Sequence, residues 1–68
     1  MYETLEGSVL QCRVVRIHGA VFYDLELQVG EFVRRVRFQD SFLSPEPKTG
    51  ELLRIELILG NVSEVQRI

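Results

Sequence analysis

Apolar and polar residues alternate along most of this 68-residue chain. From position 21 to position 29 the apolar residues fall mainly on odd positions, although Phe22 lies on the other parity. From position 52 to position 59 the inward set is Leu53, Ile55, Leu57 and Leu59. A period of two residues is typical of strands that bury one face. Because isolated glycines separate these runs, the pattern favours a small all-β barrel.

Five strands are predicted in one domain that spans residues 1–68, with the ranges 8–18, 20–28, 31–39, 51–59 and 62–68. The first strand carries apolar residues on both parities, which predicts a long, bent strand with a bulge that serves both halves of the barrel. Between the third and fourth strands, Asp40 or Ser41 is predicted to cap one helical turn. That turn is expected to carry Phe42 and Leu43 over one end of the barrel.

A turn at residues 29–30 is predicted to join the second and third strands as a hairpin. This register pairs positions whose numbers add up to 59, so Asp24 faces Arg35 and Phe22 faces Arg37 on the outer side. An acid and an arginine that face each other across two strands contribute roughly 0.2–1 kcal/mol.

The same register places three further residues on the inner side of the third strand. Phe32 and Phe38 are predicted to face the core, and Arg34 is predicted to point inward opposite Leu25. A charge in that position must reach the barrel mouth, pair with a carboxylate or meet an anion.

Some large apolar residues fall on the outward parity of the strands, where water is expected. Exposed apolar surface of this kind marks an interaction surface, most often between copies of the same chain. Each such side chain buried between subunits contributes roughly 1.5–3 kcal/mol before the cost of association. We therefore predict a homo-oligomer whose interface contains Leu10, Phe22, Val33, Leu52 and Ile58.

The charged and reactive residues narrow the function classes. Eight basic and ten acidic residues give a net charge of −2, whereas a dedicated nucleic-acid binder normally carries a basic surplus. One cysteine and one histidine form neither a metal site nor a catalytic set, so we expect no enzymatic activity and no cofactor. Cys12 is expected to be a small apolar strand residue and His18 a loop residue.

The first six residues do not resemble a signal peptide and no apolar run approaches ~20 residues, so a cytoplasmic, non-membrane location is expected.

Several short motifs occur in an order that is familiar from one family. They are L-x-G-x-V at residues 5–9, Gly19-Ala20-Val21 followed by Leu25-Glu26-Leu27, Ser41 at the start of the helical turn, and Gly50 followed by Leu53 and Val62. Together these motifs resemble the TOBE/Mop family, whose members are small OB-like barrels. Such barrels occur as free molybdate-binding proteins (molbindins) and as tails on the ATPase subunits of transporters.

The resemblance implies a five-stranded OB-like barrel that packs edge to edge with other copies or with a larger protein. It also implies a small-oxyanion site, but residues 1–4 replace the family's Ser-Ala-Arg-Asn type segment, and residues 58–61 lack the lysine that the family carries there. Molybdate binding is therefore not expected. Gly19, Ala20 and Ser41 keep donors for an anion, and Arg34 is added to them as a candidate ligand. The resemblance thus favours a non-enzymatic binding or assembly module.

An alternative function starts from Arg34, Arg35 and Arg37, which are interleaved with aromatic residues. Arginines that hold phosphates beside stacking aromatic rings are typical of single-stranded nucleic-acid surfaces. The alternative is thus an OB-fold or Sm-like barrel that binds RNA or single-stranded DNA. The acidic net charge and the predicted inward direction of the phenylalanines place it second.

Overall fold

The computed structural model describes residues 1–68 and confirms the all-β prediction. Its strands are β1 Tyr2–Ile17, β2 Ala20–Val29, β3 Phe32–Gln39, β4 Leu52–Ile58 and β5 Asn61–Arg67, and a 3-10 turn covers Asp40–Phe42. The strands form one antiparallel sheet in the order β3-β2-β1-β4-β5. The two edge strands, β3 and β5, contact each other as the sheet curls. None of the helical structure is long or apolar enough to cross a membrane.

Strand β1 is the centre of the sheet and serves both halves, as predicted. Its second half pairs with β2, its first half pairs with β4, and the register shifts between Val9 and Gln11. The predicted start at residue 8 was wrong, because the strand begins at Tyr2. The early start has a physical cause: Leu5 pairs with Ile55, and both side chains are buried.

The inner face of the curled sheet holds a single apolar core. Its buried members are Leu5, Val9, Tyr23, Leu25, Leu27, Val36, Phe38, Leu43, Leu53, Ile55, Leu57 and Val65. The ring of Phe38 stacks edge-on against Tyr23, with 5.8 Å between centroids, and against Phe42 at 6.2 Å. Leu43 closes the core as predicted, while Phe42 stays partly exposed. The predicted helix cap was wrong, because the N-cap is Gln39 and no side chain caps the turn.

The β2–β3 hairpin has a register two residues away from the predicted one. The paired positions add up to 61, so the turn consists of Gly30 and Glu31. Gly30 alone has a positive φ, of 59°, which fits a type II′ turn with glycine as its first central residue. A shift of two residues keeps every side chain on its predicted face but changes every partner. Phe22 therefore faces Gln39 and not Arg37.

The other two hairpins turn at an X-Gly pair whose residues both have positive φ, as in type I′ turns. His18 and Gly19 join β1 to β2, with φ of 49° and 82°. Leu59 and Gly60 join β4 to β5, with φ of 52° and 81°. The prediction that Leu59 faces the core was wrong, because it lies in this turn with its side chain exposed.

Arg67, at the end of β5, fastens the long segment between the 3-10 turn and β4. Its guanidinium pairs with the carboxylate of Glu51 and donates hydrogen bonds to the carbonyl oxygens of Ser44, at 3.1 Å, and Pro45. The other oxygen of Glu51 accepts the backbone N–H of Lys48 at 2.9 Å. The hydrogen bond from the backbone of Lys48, and after it the one from Arg67, hold the pKa of Glu51 below its ordinary value.

Candidate functional site

The four predicted anion ligands do not converge on one site. Gly19 and Ala20 lie at the β1–β2 turn. Ser41 lies at the same end of the sheet, since the strand pair Phe22–Gln39 leads directly to both segments. Arg34 pairs with Leu27, which is seven residues from Ala20 along β2, or about 23 Å. Arg34 therefore lies near the opposite end of the sheet.

Arg34 is engaged by a carboxylate on another strand. It faces Leu27, whereas the prediction placed it opposite Leu25. Its Nη1 lies 3.1 Å from Oε2 of Glu3, and its side chain is 43% exposed. The charge is thus balanced within the chain at a partly solvated position.

The other two arginines of the predicted group also face acids. Arg37 and not Arg35 pairs with Asp24 in the corrected register, and its guanidinium holds both carboxylate oxygens, with 2.9 Å between Nη2 and Oδ2. The hydrogen bond from Arg37 lowers the pKa of Asp24 below its ordinary value. Arg35 lies 3.7 Å from Glu26. All three arginines of the nucleic-acid hypothesis therefore have a carboxylate beside them.

A shallow groove of about 330 Å³ crosses the outer surface of β1, β2 and β3, which we call the arginine face. Its polar lining consists of Gln11, Arg13, Asp24, Glu26, Arg35 and Arg37. The charges alternate in sign along one row, since Asp24 lies between Arg13 and Arg37 in the strand register, and Glu26 lies beside Arg35 in the next row. Alternation of this kind leaves little net field for a polyanion.

Phe32 lies on the predicted side of β3, but the prediction that it belongs to the core was wrong, since the residue is 72% exposed. Phe32 is the first residue of β3, beside the turn, where the sheet ends and only Val29 lies opposite. It shares a parity with the buried Val36 and Phe38 and not with Arg35 and Arg37. The exposed ring thus belongs to the face opposite the arginine face, and the two do not form a joint stacking surface.

The outward surface of β1, β4 and β5 has a different character, and we call it the β4 wall. Directly paired residues share a face, so Tyr2 lies beside Ile58, Glu6 beside Arg54 and Ser8 beside Leu52. Nε of Arg54 donates to Oε2 of Glu6 at 2.6 Å. The wall therefore has a charged middle and apolar ends.

One end of the β4 wall carries an apolar group that we call the N-terminal cluster: Met1, Tyr2, Ile58 and Leu59. The N–H of Leu59 donates to the carbonyl oxygen of Met1 at 2.9 Å, so these two residues lie side by side next to the Tyr2–Ile58 pair. Tyr2 is 61% exposed, Ile58 49% and Leu59 74%. Of these four residues only Ile58 was predicted to belong to an interface. Tyr2, the strand partner of Ile58, was missed because the predicted β1 began at residue 8.

The other end of the wall carries the C-terminal cluster: Leu10, Leu52 and Ile68. The N–H of Ile68 donates to the carbonyl oxygen of Leu52 at 3.2 Å. Leu10 follows Val9, whose N–H donates to the carbonyl oxygen of Glu51, the residue before Leu52. All three side chains are exposed. Six residues along β4 separate Leu52 from Ile58, which places the two clusters about 20 Å apart.

The five predicted interface residues divide between two surfaces. Leu52 and Ile58 belong to the β4 wall, and Leu10, at the bulge of β1, lies next to the Leu52 end of the wall. Phe22 and Val33 lie on the outer side of β2 and β3, where Phe22 is half-buried and Val33 exposed. The five predicted interface residues therefore do not form a single surface.

Cys12 behaves as a small apolar residue. It pairs with Leu25 and packs against the core. Burial, followed by the nearby charges of Glu46 and Asp24, raises the pKa of its thiol. A thiol with a raised pKa is a weaker nucleophile at neutral pH.

Comparison of this chain with protein-family models, with curated proteins and with solved structures gives no match. The resemblance to the TOBE/Mop family therefore depends on the sequence motifs alone.

Proposed function

We propose that this chain is a non-enzymatic assembly module, a small OB-like barrel that docks on another protein subunit through its β4 wall. The observation that carries the proposal is the N-terminal cluster, in which Tyr2 and Ile58 are paired and exposed on the wall and the exposed Leu59 follows Ile58 in the turn. The C-terminal cluster leaves a second group of exposed apolar residues at the far end of β4. Contiguous apolar surface rimmed by polar residues is typical of docking sites.

The strand order supports the OB-like part of the proposal. A five-stranded barrel of this type is partly open, and its first strand is shared between the two halves of the sheet. Here β1 pairs with β2 through one half and with β4 through the other, while β3 and β5 meet at the edges. The TOBE/Mop resemblance implies the same architecture and an assembly role.

The backbone of Leu59 gives independent support to the docking surface. A bulky side chain in the left-handed region costs of order 1–3 kcal/mol, and such strain concentrates at functional sites. Asparagine is the usual residue before glycine in a type I′ turn. A leucine with φ of 52° and an exposed side chain is therefore better explained by contact with a partner than by the stability of the turn.

The arginine face supports the nucleic-acid alternative less well. Arg34, Arg35 and Arg37 each lie beside a carboxylate, and phosphate would have to displace those acids. The small-anion variant also has less support, because Arg34 lies about 23 Å along the sheet from Ala20.

Site-specific photocrosslinking in the protein's own host tests the proposal. A photoreactive amino acid at position 58 is expected to form a crosslink to a protein subunit, whether another chain or a second copy. The same group at position 33 is the matched control, since Val33 and Ile58 are similarly exposed on different surfaces. Equal crosslinking at the two positions, or none at position 58, would contradict the proposal.

A further inference from the structure

The outward residues of β4 form a sequence that is complementary to itself. In order they are Leu52, Arg54, Glu56 and Ile58, that is apolar, positive, negative and apolar. If a second β4 lies over the first in the opposite direction, Leu52 of each strand contacts Ile58 of the other. Arg54 of each strand then contacts Glu56 of the other. A surface of this kind is what a two-fold interface requires, because each contact then occurs twice.

Glu56 lies in an unfavourable environment within the single chain. Its strand partner on β5 is Glu64, so two carboxylates face each other on the β4 wall. Its partner on β1 is the uncharged Thr4. Like charges that lie directly opposite each other destabilise a sheet, and neither glutamate has an ion-pair partner within the chain. A cation from outside the chain would relieve this repulsion.

Arg54 has the donors to supply that cation. Within the chain only its Nε is used, in the hydrogen bond to Glu6. A guanidinium carries five N–H donors, and four of them belong to the two terminal nitrogens. The side chain of Arg54 is 41% exposed, so these nitrogens are accessible for a carboxylate of another chain.

We propose that the partner on the β4 wall is a second copy of this chain, related by a two-fold axis that passes between the Arg54 and Glu56 rows. In this dimer Arg54 binds Glu56 of the partner subunit, and the N-terminal cluster of each copy packs on the C-terminal cluster of the other. The inference rests on the proposed function, since it names the occupant of the proposed docking surface.

The size of the wall sets the strength of the dimer. Three strands about 4.8 Å apart and about 20 Å long form a small face, so the interface lies at the low end of the range for specific complexes. The dimer is therefore expected to be in reversible, concentration-dependent equilibrium with the monomer.

A charge-exchange experiment tests the two-fold contact. Arg54→Glu places two glutamates against each other in its own homodimer, and Glu56→Arg does the same with two arginines. Each variant alone is expected to dissociate at least about tenfold more readily than wild type in sedimentation velocity. An equimolar mixture of the two pairs opposite charges at both contacts, so dimerisation is expected to return in the mixture.

Circular dichroism melts of both variants establish that they fold. Arg54→Glu puts an acid beside Glu6. If this single variant is unstable, the double variant Glu6→Arg/Arg54→Glu takes its place, because it restores the ion pair within the chain with the two charges exchanged. Val33→Asp is the control on the other face and is expected to dimerise like wild type.

Two results would overturn the inference: a wild-type chain that stays monomeric up to millimolar concentration, or a mixture that dissociates as readily as its components. Failure of the inference is distinguishable from failure of the proposed function. If position 58 crosslinks to a different protein while the purified chain is monomeric, the docking surface stands and its occupant is not a second copy.

Discussion

Arg34 on β3 and Glu3 on β1 form an ion pair, with 3.1 Å between Nη1 and Oε2, although 31 positions separate them in the chain. Strand β2 lies between their two strands, so the pair bridges the inner side of the curled sheet near one end. Taken separately, Arg34 suggests an anion ligand and Glu3 a group that repels anions. As partners they balance each other.

The Arg34–Glu3 pair is expected to contribute little to stability, because both side chains are nearly half exposed. A double-mutant cycle with Arg34→Met and Glu3→Gln should give a coupling energy of about 0.5 kcal/mol in urea unfolding. The coupling should shrink as salt is added. A coupling energy of zero at low salt would contradict the pairing.

The neutralised arginines predict that the chain does not bind single-stranded oligonucleotides. Fluorescence anisotropy at low salt should show no binding by wild type. The variant Asp24→Asn/Glu26→Gln removes the acids beside Arg37 and Arg35, so it should bind more than wild type does, with a strong salt dependence. If wild type binds and Arg37→Ala weakens the binding, the nucleic-acid alternative is favoured.

Neighbouring leucines on β4 are predicted to differ sharply in their effect on stability. Leu53 is fully buried and Leu52 is half exposed. Leu53→Ala should lower the free energy of unfolding by about 3 kcal/mol, through lost burial and the cavity left behind. Leu52→Ala should lower it by less than about 1 kcal/mol in dilute protein, where the chain is monomeric. Equal losses would mean that β4 is not placed as described.

Leu59→Asn is predicted to raise the stability of the fold and to weaken its assembly. Asparagine tolerates the positive φ of this position better than leucine does, so the free energy of unfolding should rise by about 1 kcal/mol. Dimerisation should weaken, because the exposed leucine belongs to the N-terminal cluster. His18→Asn is the matched control: it changes the other X-Gly turn and should leave dimerisation unchanged. If Leu59→Asn leaves dimerisation intact, Leu59 has no part in docking.

The depressed pKa of Glu51 predicts a pH-dependent contribution to stability. Hydrogen bonds from the N–H of Lys48 and from Arg67 favour the charged carboxylate. The native pKa is lower than the unfolded one, so the contribution is complete above the ordinary glutamate pKa and is lost as the pH falls through the native value.

Glu51→Gln should therefore be less stable than wild type by about 1 kcal/mol at pH 7. The difference should shrink as the pH falls below the ordinary glutamate pKa and through the lower native pKa of Glu51, because the wild-type carboxyl then becomes neutral as well. Urea unfolding at several pH values measures it. A difference that does not change with pH would show that the charge of Glu51 is not involved.

The period-two pattern predicted the five strands and, away from the strand ends, which faces are buried. On β4, the alternation of Leu53, Ile55 and Leu57 with more polar neighbours specifies which side is buried, because one face packs in the core and the other meets solvent. The mixed parity of β1 likewise predicted its bulge and its double role. These are properties of single segments, so local sequence contains them.

The pairings between segments were harder to predict. A hairpin register that slips by two residues leaves every residue on the same face, so parity does not distinguish the predicted register from the observed one. Only the preference of Gly30 for the first position of a II′ turn carries that information. The contact between Arg34 and Glu3 joins strands that are not neighbours, and no local pattern indicates it.

Native mass spectrometry of the chain purified from its own host tests the docking role of the β4 wall most directly. Wild type and Val33→Asp are expected to retain a bound subunit, and Ile58→Asp is expected to lose it, because an aspartate in the N-terminal cluster would be buried without a partner. If all three proteins have the mass of a single chain, or if Ile58→Asp keeps the same complex as wild type, the β4 wall is not a docking surface.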